Sequence, residues 1–348
     1  VNYKKICPVL FFYALSALAF IITAACNKSS IHPVEKTFVL MDTYVTIRVY
    51  DHHRSHDEIL SAIDKARQRM AAIESLTTTF SGNSEVIRIN RGAERKPLTV
   101  SADLAKIVAQ AQQVSDVSQG AFDITVQPLM ELWGFGRAEH LRVPSRDSIA
   151  LRLSHVDFHK LHLDSQNIEK DDARTEIDLG GIAKGYAVDV ATEVLERAGI
   201  SDAQVDAGGN LRTLVSPLTA GKRNVYIRHP RHHDAFYGRF PMDAGAVATS
   251  GDYERFFFQD SVRYHHILDP KTGYPAHKCV GATIQSPTAM LCDALSTAIF
   301  VMGPGKGMEL IERLPEVEGL IIFEKDGKLT HVVSSGLKNK FQLTENDF

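Results

Sequence analysis

From Thr37 the chain reads TFVLMDTYVTIRVYD, where apolar and polar residues alternate and Val, Ile, Thr and Tyr dominate, a pattern that predicts strands. The period then changes. In HDEILSAIDKARQRMAAIESLTT the residues Ile59, Leu60, Ile63, Ala66, Met70 and Ile73 recur at helical spacing, so a helix is expected to pack on the sheet. SADLAKIVAQAQQVSDVSQG repeats that spacing, with Ser101 placed to cap the helix and Gly120 to stop it. Strand-like stretches follow around 159–164, 174–179, 203–207, 224–228, 262–268 and 279–285, and helices are predicted over 182–198, 287–302 and 304–313. IIFEKDGKLTHVVSS closes the pattern as a hairpin turning at Asp326 and Gly327. No repeat of fixed period and no low-complexity linker interrupts this mixture, and the expectation is an α+β fold.

The amino end breaks the patterning. After Lys4 and Lys5, CPVLFFYALSALAFIITAAC carries no charge before Lys28, which gives the basic start and apolar run of an export signal. The run is also nearly long enough for an uncleaved anchor helix. Thr23, Ala24 and Ala25 lead into Cys26 as in a bacterial lipobox, and this small-residue site favours cleavage. Residues 1–25 are therefore expected to form a signal peptide, Cys26 to be the lipidated first residue, 26–36 a tether and 37–348 the folded domain. A membrane-anchored lipoprotein of the bacterial cell envelope, facing the periplasm, follows. Cys7 leaves with the signal, so Cys279 and Cys292 either pair in an oxidising compartment or sit buried as small hydrophobes.

At 348 residues, 44% hydrophobic and 23% charged, the chain can bury a sizeable core. A net charge of −3 with both signs mixed leaves no basic stripe, so nucleic acid is not an expected partner. Histidines at 52, 53 and 56, and again at 229, 232 and 233, lie among turn-forming residues and read as exposed loop histidines rather than metal ligands.

Candidate chemistry concentrates in four stretches. In DLGGIAKGYAVD (178–189), RTEIDL reads as a strand running into a helix with Ile182, Tyr186, Val190 and Val194 on one face. Free amides at that junction, beside Lys184, suit a phosphate-bearing ligand, although Gly-Gly also serves plain turns. In SPTAMLCDALSTAIFVMGPG, Ser286 is placed to cap, Pro287 to open the helix and Gly303 to end it, which leaves Asp293 well inside an apolar helix. A buried carboxylate needs a partner. Thr297 lies one turn on, and the pair presents oxygen ligands for Mg²⁺ shared with substrate phosphate, or else Asp293 pairs with a basic residue. His266 precedes the Asp269–Gly273 turn and is either a general base or a structural histidine. GAFDITVQPLMELWGFG ends a helix at Gly120 and closes in aromatics.

In order and wording, GAFDITVQPLMELWGFG, DLGGIAKGYAVD, DAGGN, ATSGDYERFF, HHILDPKTGYPA and DALSTAIFVMG resemble the successive signatures of the ApbE family, the FAD:protein FMN transferases. The resemblance runs from about Thr37 to Thr330 and implies mixed, largely antiparallel sheets with packed helices in one catalytic unit. It further implies Mg²⁺-dependent transfer of FMN from FAD to a Thr or Ser hydroxyl of an exported protein, such as a redox-complex subunit, with release of AMP. Carried over, the metal ligands would be Asp293, Thr297 and the main-chain oxygen of Gly181. FAD would be contacted by Met41, Phe80 (commonly Tyr in the family), Ala121, Phe122, Asp123, Asp178, Lys184, His266 and Ile267, with Thr249 and Ser250 in the same cleft. His266 would take the acceptor proton or position the hydroxyl. Cys292 stands where the family usually has Ala. The alternatives are an FAD pyrophosphatase yielding FMN and AMP, and an FAD-binding lipoprotein without chemistry.

Overall fold

The computed structural model describes residues 33–344 apart from 52, 81, 93–95, 137–140, 218 and 222, so the expected signal peptide and Cys26 lie outside the described residues. Among the described residues the largest sheet contains β1 (Val34–Leu40), β2 (Thr43–Val49), β3 (Ala203–Ala207), β4 (Asn210–Leu214), β5 (Gly245–Gly251), β6 (Gly281–Ser286), β7 (Glu318–Lys325) and β8 (Lys328–Val333). All neighbours are antiparallel and follow chain order. The folded unit begins with β1 at Val34, within the stretch read as tether.

The helices fill two long crossings of that sheet. Between β2 and β3 come α1 (His56–Thr77), α2 (Glu85–Arg91), α3 (Ala102–Val117), α4 (Gln127–Trp133), α5 (Arg146–Leu153) and α6 (Ala183–Arg197); between β6 and β7 come α7 (Ala289–Met302) and α8 (Pro304–Arg313). Their starts follow local chemistry. Ser55 and Glu58 form a reciprocal capping box on α1, and Ser101 caps α3 as its sequence predicts. Helix α1 packs on α6, α6 on α7, and α6 and α7 lie across the middle of the sheet. The main core forms there, between Val45, Ile47, Val205 and Ile284 of the strands and Ile63, Met70, Leu195, Leu295 and Ile299 of the helices.

Period-2 alternation sorts the two sheet faces. Along β5, Ala246 and Ala248 face the helices while Val247 faces the other side. Small residues on the helix side let α7 come close. Opposite, Val247, Leu320 and Ile322 are covered by Val225, Ile227 and Phe240 of a three-stranded sheet. A third cluster joins two of the sequence motifs: Trp133 contacts the Tyr264 and Tyr274 rings and donates its indole N–H to Gly273 O at 2.9 Å.

Three expectations need correction. Residues 174–179 form no named strand: a single parallel bridge joins Val126 to Glu176, and the Ile177 and Asp178 amides donate to Asn90 Oδ1 and Ile124 O. Thr288, rather than Ser286, caps α7, so Pro287 precedes the cap instead of opening the helix. Strands 210–214, 236–241, 245–251 and 256–259 were not marked by hydrophobic pattern. Cys279 and Cys292 are free and buried, and burial pushes both thiols up to about 12, the behaviour of small core hydrophobes.

Candidate active site

Two helices that start far apart in sequence meet at their first turns. A side chain at Gly185 would place its Cβ 2.2 Å from Ala289 O and 2.7 Å from Met290 Cα, so only glycine permits the contact. Each helix then satisfies the other's open amides. Asp293 of α7 accepts from Gly185 N at 3.0 Å, where Ile182 offers α6 no side-chain cap. Asp189 of α6 accepts from Ala289 N and Met290 N, both at 2.9 Å, and is paired with Arg212 Nη1 at 2.7 Å. This reciprocal capping by carboxylates fixes Asp293 at the floor of a cleft.

The cleft is a cavity of about 350 Å³ that gathers every flavin-binding and metal residue expected from sequence. Met41, Phe80, Ala121, Phe122, Asp123 and Asp178 line it together with Gly181, Lys184, Thr249 and Ser250, and His266, Ile267, Asp293 and Thr297 complete the set. Met41 and Asp42 form the β1–β2 turn with φ of 53° and 56°. Left-handed backbone at non-glycine residues costs roughly 1–3 kcal/mol each. Here it is held by Met41 N donating to Glu74 Oε1 at 2.7 Å. Phe122 is placed by Gly120 at φ 74°, which ends the α3 turn, and by its own amide donating to Ser118 Oγ.

Gly181 lies directly against Phe122 and Thr297: a Cβ there would come within 3.1 Å of the Phe122 ring and 3.4 Å of Thr297 Oγ1. Hydroxyls cluster above it, with Ser250 Oγ 2.8 Å from Ser296 Oγ and 3.2 Å from Thr297 Oγ1, and Thr249 Oγ1 2.9 Å from Thr283 Oγ1. Asp293 is 5% exposed, and burial raises its pKa against the pull of Lys184, Gly185 and Asn210. Lys184 Nζ stands 3.8 Å from Asp293 Oδ1 and donates to Gly180 O at 2.8 Å.

The open-amide expectation at the glycine junction is largely corrected. The Gly180 amide is taken by Asp178 Oδ1, those of Ile182 and Ala183 by Leu179 O, and that of Gly185 by Asp293. The amides of Gly181 and Lys184 remain without a partner among the described residues. Close packing therefore explains Gly181 and Gly185. Asp123 lines the cavity, yet its carboxylate is spent internally on the Thr125 amide and hydroxyl and on Phe158 N.

His266 is half-buried with its edge toward Phe135. Its Nδ1 lies 3.2 Å from Arg255 O, and a carbonyl only accepts, so Nδ1 carries the hydrogen and Nε2 keeps a lone pair. Burial, reinforced by Arg255, lowers its pKa to about 3. Glu74, Asp189 and Asn210 escaped the sequence reading. Asp189 and Asn210 lie inside recognised motifs, DLGGIAKGYAVD and DAGGN, and Glu74 lies in neither.

Among the described residues no group of three His, Cys, Asp or Glu side chains is placed to hold a metal, and no helix is long and apolar enough to cross a membrane.

A model of the ApbE family matches residues 41–321. A Haemophilus influenzae protein named FAD:protein FMN transferase is 32% identical over 289 residues, covering 80% of this chain and 81% of its own length. A Treponema pallidum protein of the same name is 32% identical over 320 residues, covering 85% and 86%. The ApbE protein of Thermotoga maritima, a solved structure, has a TM-score of 0.80 at 33% identity over 89% of this chain and 99% of that one. The flavin transferase ApbE of Vibrio cholerae has a TM-score of 0.78 at 28% identity over the same shares. On the family match and these relatives, with the cavity assembled from the family's signature stretches, this chain belongs to the ApbE family.

Proposed function

We propose that this chain is an FAD:protein FMN transferase that moves FMN from FAD to a Thr or Ser hydroxyl of an exported protein and releases AMP, with Mg²⁺ bound beside the diphosphate. The observation that carries this reading is one cavity lined by Asp293, Thr297 and Gly181 together with Lys184, Phe122 and His266. Asp293, Thr297 and the Gly181 carbonyl, which accepts no hydrogen bond among the described residues, would hold the ion. All three donors are oxygens, and so short a protein ligand set suits a cation that keeps water and shares phosphate oxygens. When bound, it neutralises diphosphate charge as the leaving group departs.

The chain's own groups do the remainder. Phe122, Met41 and Phe80 offer apolar walls to the flavin and adenine rings. Lys184 supplies a positive charge at the cavity floor. The acceptor oxygen bonds to the phosphorus nearer the riboflavin, the bond from that phosphorus to the bridging oxygen breaks, and AMP leaves with the electron pair. The hydroxyl proton passes to His266 Nε2 and on to water. A pKa near 3 makes that nitrogen a weak base until the anionic dinucleotide sits beside it, which raises its basicity.

The export pattern ahead of Cys26 supports a lipid-anchored protein facing the periplasm and an acceptor that is itself exported. Incubation with FAD, Mg²⁺ and a candidate acceptor domain should leave flavin fluorescence on the acceptor after denaturation. Free FMN with an unlabelled acceptor would assign hydrolysis instead. Intact FAD would reduce the protein to a carrier.

A further inference from the structure

Asn210 opens β4 directly after the Gly208–Gly209 turn, whose glycines have φ of 58° and 91°. The hairpin is pinned against β2 by Gly208 N donating to Tyr44 O, and a Cβ at Gly208 would stand 2.4 Å from Thr43 Oγ1. Asn210 thereby reaches the cavity floor from beneath. It is 4% exposed, lines the cavity with Asp293, and its side-chain amide favours the charged form of that carboxylate.

A carboxylate only accepts, so the end of the Asn210 amide that favours charged Asp293 is its N–H₂, and Oδ1 is the other end. That end, Oδ1, is buried with no hydrogen-bond partner among the described residues. Buried acceptors are seldom left unmade in native proteins, because nothing replaces the water they lost. A bare oxygen acceptor repels phosphate oxygens, so the diphosphate itself is not its partner. A cation, or the O–H of a cation-bound water, satisfies both this oxygen and the neighbouring Asp293 carboxylate. We propose that Asn210 belongs to the divalent-cation site: its Nδ2 orients Asp293, and its Oδ1 receives the cation or its hydration water. This rests on the flavin-transfer reading above and adds to it a residue outside the Asp293, Thr297 and Gly181 set.

The test is Mg²⁺ titration calorimetry on FAD-loaded protein, for wild type, Asn210→Ala and Asn210→Asp, with FAD affinity measured separately in EDTA. Asn210→Ala should weaken Mg²⁺ binding by about tenfold or more, the usual effect of losing a group that supports a metal ligand. FAD affinity in EDTA should keep its wild-type value. Asn210→Asp returns an oxygen acceptor and should bind Mg²⁺ as tightly as wild type or more tightly. Unchanged Mg²⁺ affinity in Asn210→Ala overturns the assignment. So does an equal loss of FAD affinity in EDTA, which would give Oδ1 to a ribityl or ribose hydroxyl. If Asn210→Ala fails to fold, Asn210→Asp decides alone, and weaker Mg²⁺ binding overturns the proposal. A wild-type protein that binds no Mg²⁺ with FAD would overturn the parent reading and this one with it, a failure recognisable because no variant is involved.

Discussion

Replacing Gly185 by alanine tests the helix junction that holds Asp293. The new Cβ would meet Ala289 O at 2.2 Å, Ala289 C at 2.6 Å and Met290 Cα at 2.7 Å, all of them backbone atoms that cannot swing aside. Ordinary contact near 3.4 Å needs about 1.2 Å of separation between α6 and α7. Such a shift stretches the 3.0 Å bond from Gly185 N to Asp293 to about 4.2 Å, beyond hydrogen-bond range. The two 2.9 Å bonds from Ala289 N and Met290 N to Asp189 stretch with it. Hydrogen bonds to a charged acceptor contribute roughly 1.5–3 kcal/mol each. Alanine's better helix propensity returns about 1 kcal/mol. Allowing for partial relaxation, the net loss should be about 3–5 kcal/mol, a large part of the roughly 5–15 kcal/mol typical of a domain. Urea unfolding followed by circular dichroism measures it through the midpoint at constant slope. An unchanged midpoint, or a gain of about 1 kcal/mol as propensity alone gives, would refute the junction.

Three further outcomes are expected. His266→Ala should abolish FMN transfer while FAD binding, followed by fluorescence quenching, stays largely intact; unchanged turnover would remove His266 from the mechanism. Stability should fall as pH drops from about 6.5 toward 4, because buried His265 donates from Nε2 to Ala276 O, accepts at Nδ1 from Ile267 N and is lowered to about 4, whereas the unfolded chain protonates near 6.5. His266, lowered to about 3, acts in the same direction, and Asp189 and Asp293, raised by burial, act in the opposite one. Urea midpoints that stay flat between about pH 7 and 4.5 would contradict this. Cys26→Ser should move the protein from the membrane fraction to the soluble one, and continued sedimentation with membranes would point to an uncleaved anchor.

Much of the scaffold was legible because its elements are locally determined. Helices α3 and α8, and strands 203–207 and 224–228, stand where cap, periodicity and β-branching put them. Strand β5, GAVATSG, was not legible, since Gly and Ala carry little strand signal and are present because α7 must lie close over them. The stretch 174–179 looked like a strand, yet its amides are satisfied by Asn90 and Ile124, partners that no local window contains. Asp293 stood out as a carboxylate in an apolar helix with Thr297 one turn on, and the resemblance supplied Gly181. Among the partners of Asp293, Lys184 stood out, whereas the others did not. Gly185 and Asn210 matter through contacts across 108 and 83 positions of chain, and the reciprocal cap exists only once α6 and α7 are paired.

The proposed transfer requires that Asp293, Thr297 and the Gly181 carbonyl face a cation on the FAD diphosphate. A crystal structure of this chain soaked with FAD and Mn²⁺, read by anomalous scattering, measures that directly. The expected result is a single metal peak within bonding distance of those three oxygens and the diphosphate, with Asn210 Oδ1 facing the peak or one of its waters. A dinucleotide bound in the cleft with no metal peak at Asp293, or with Asp293 and Thr297 turned away from it, would contradict the account.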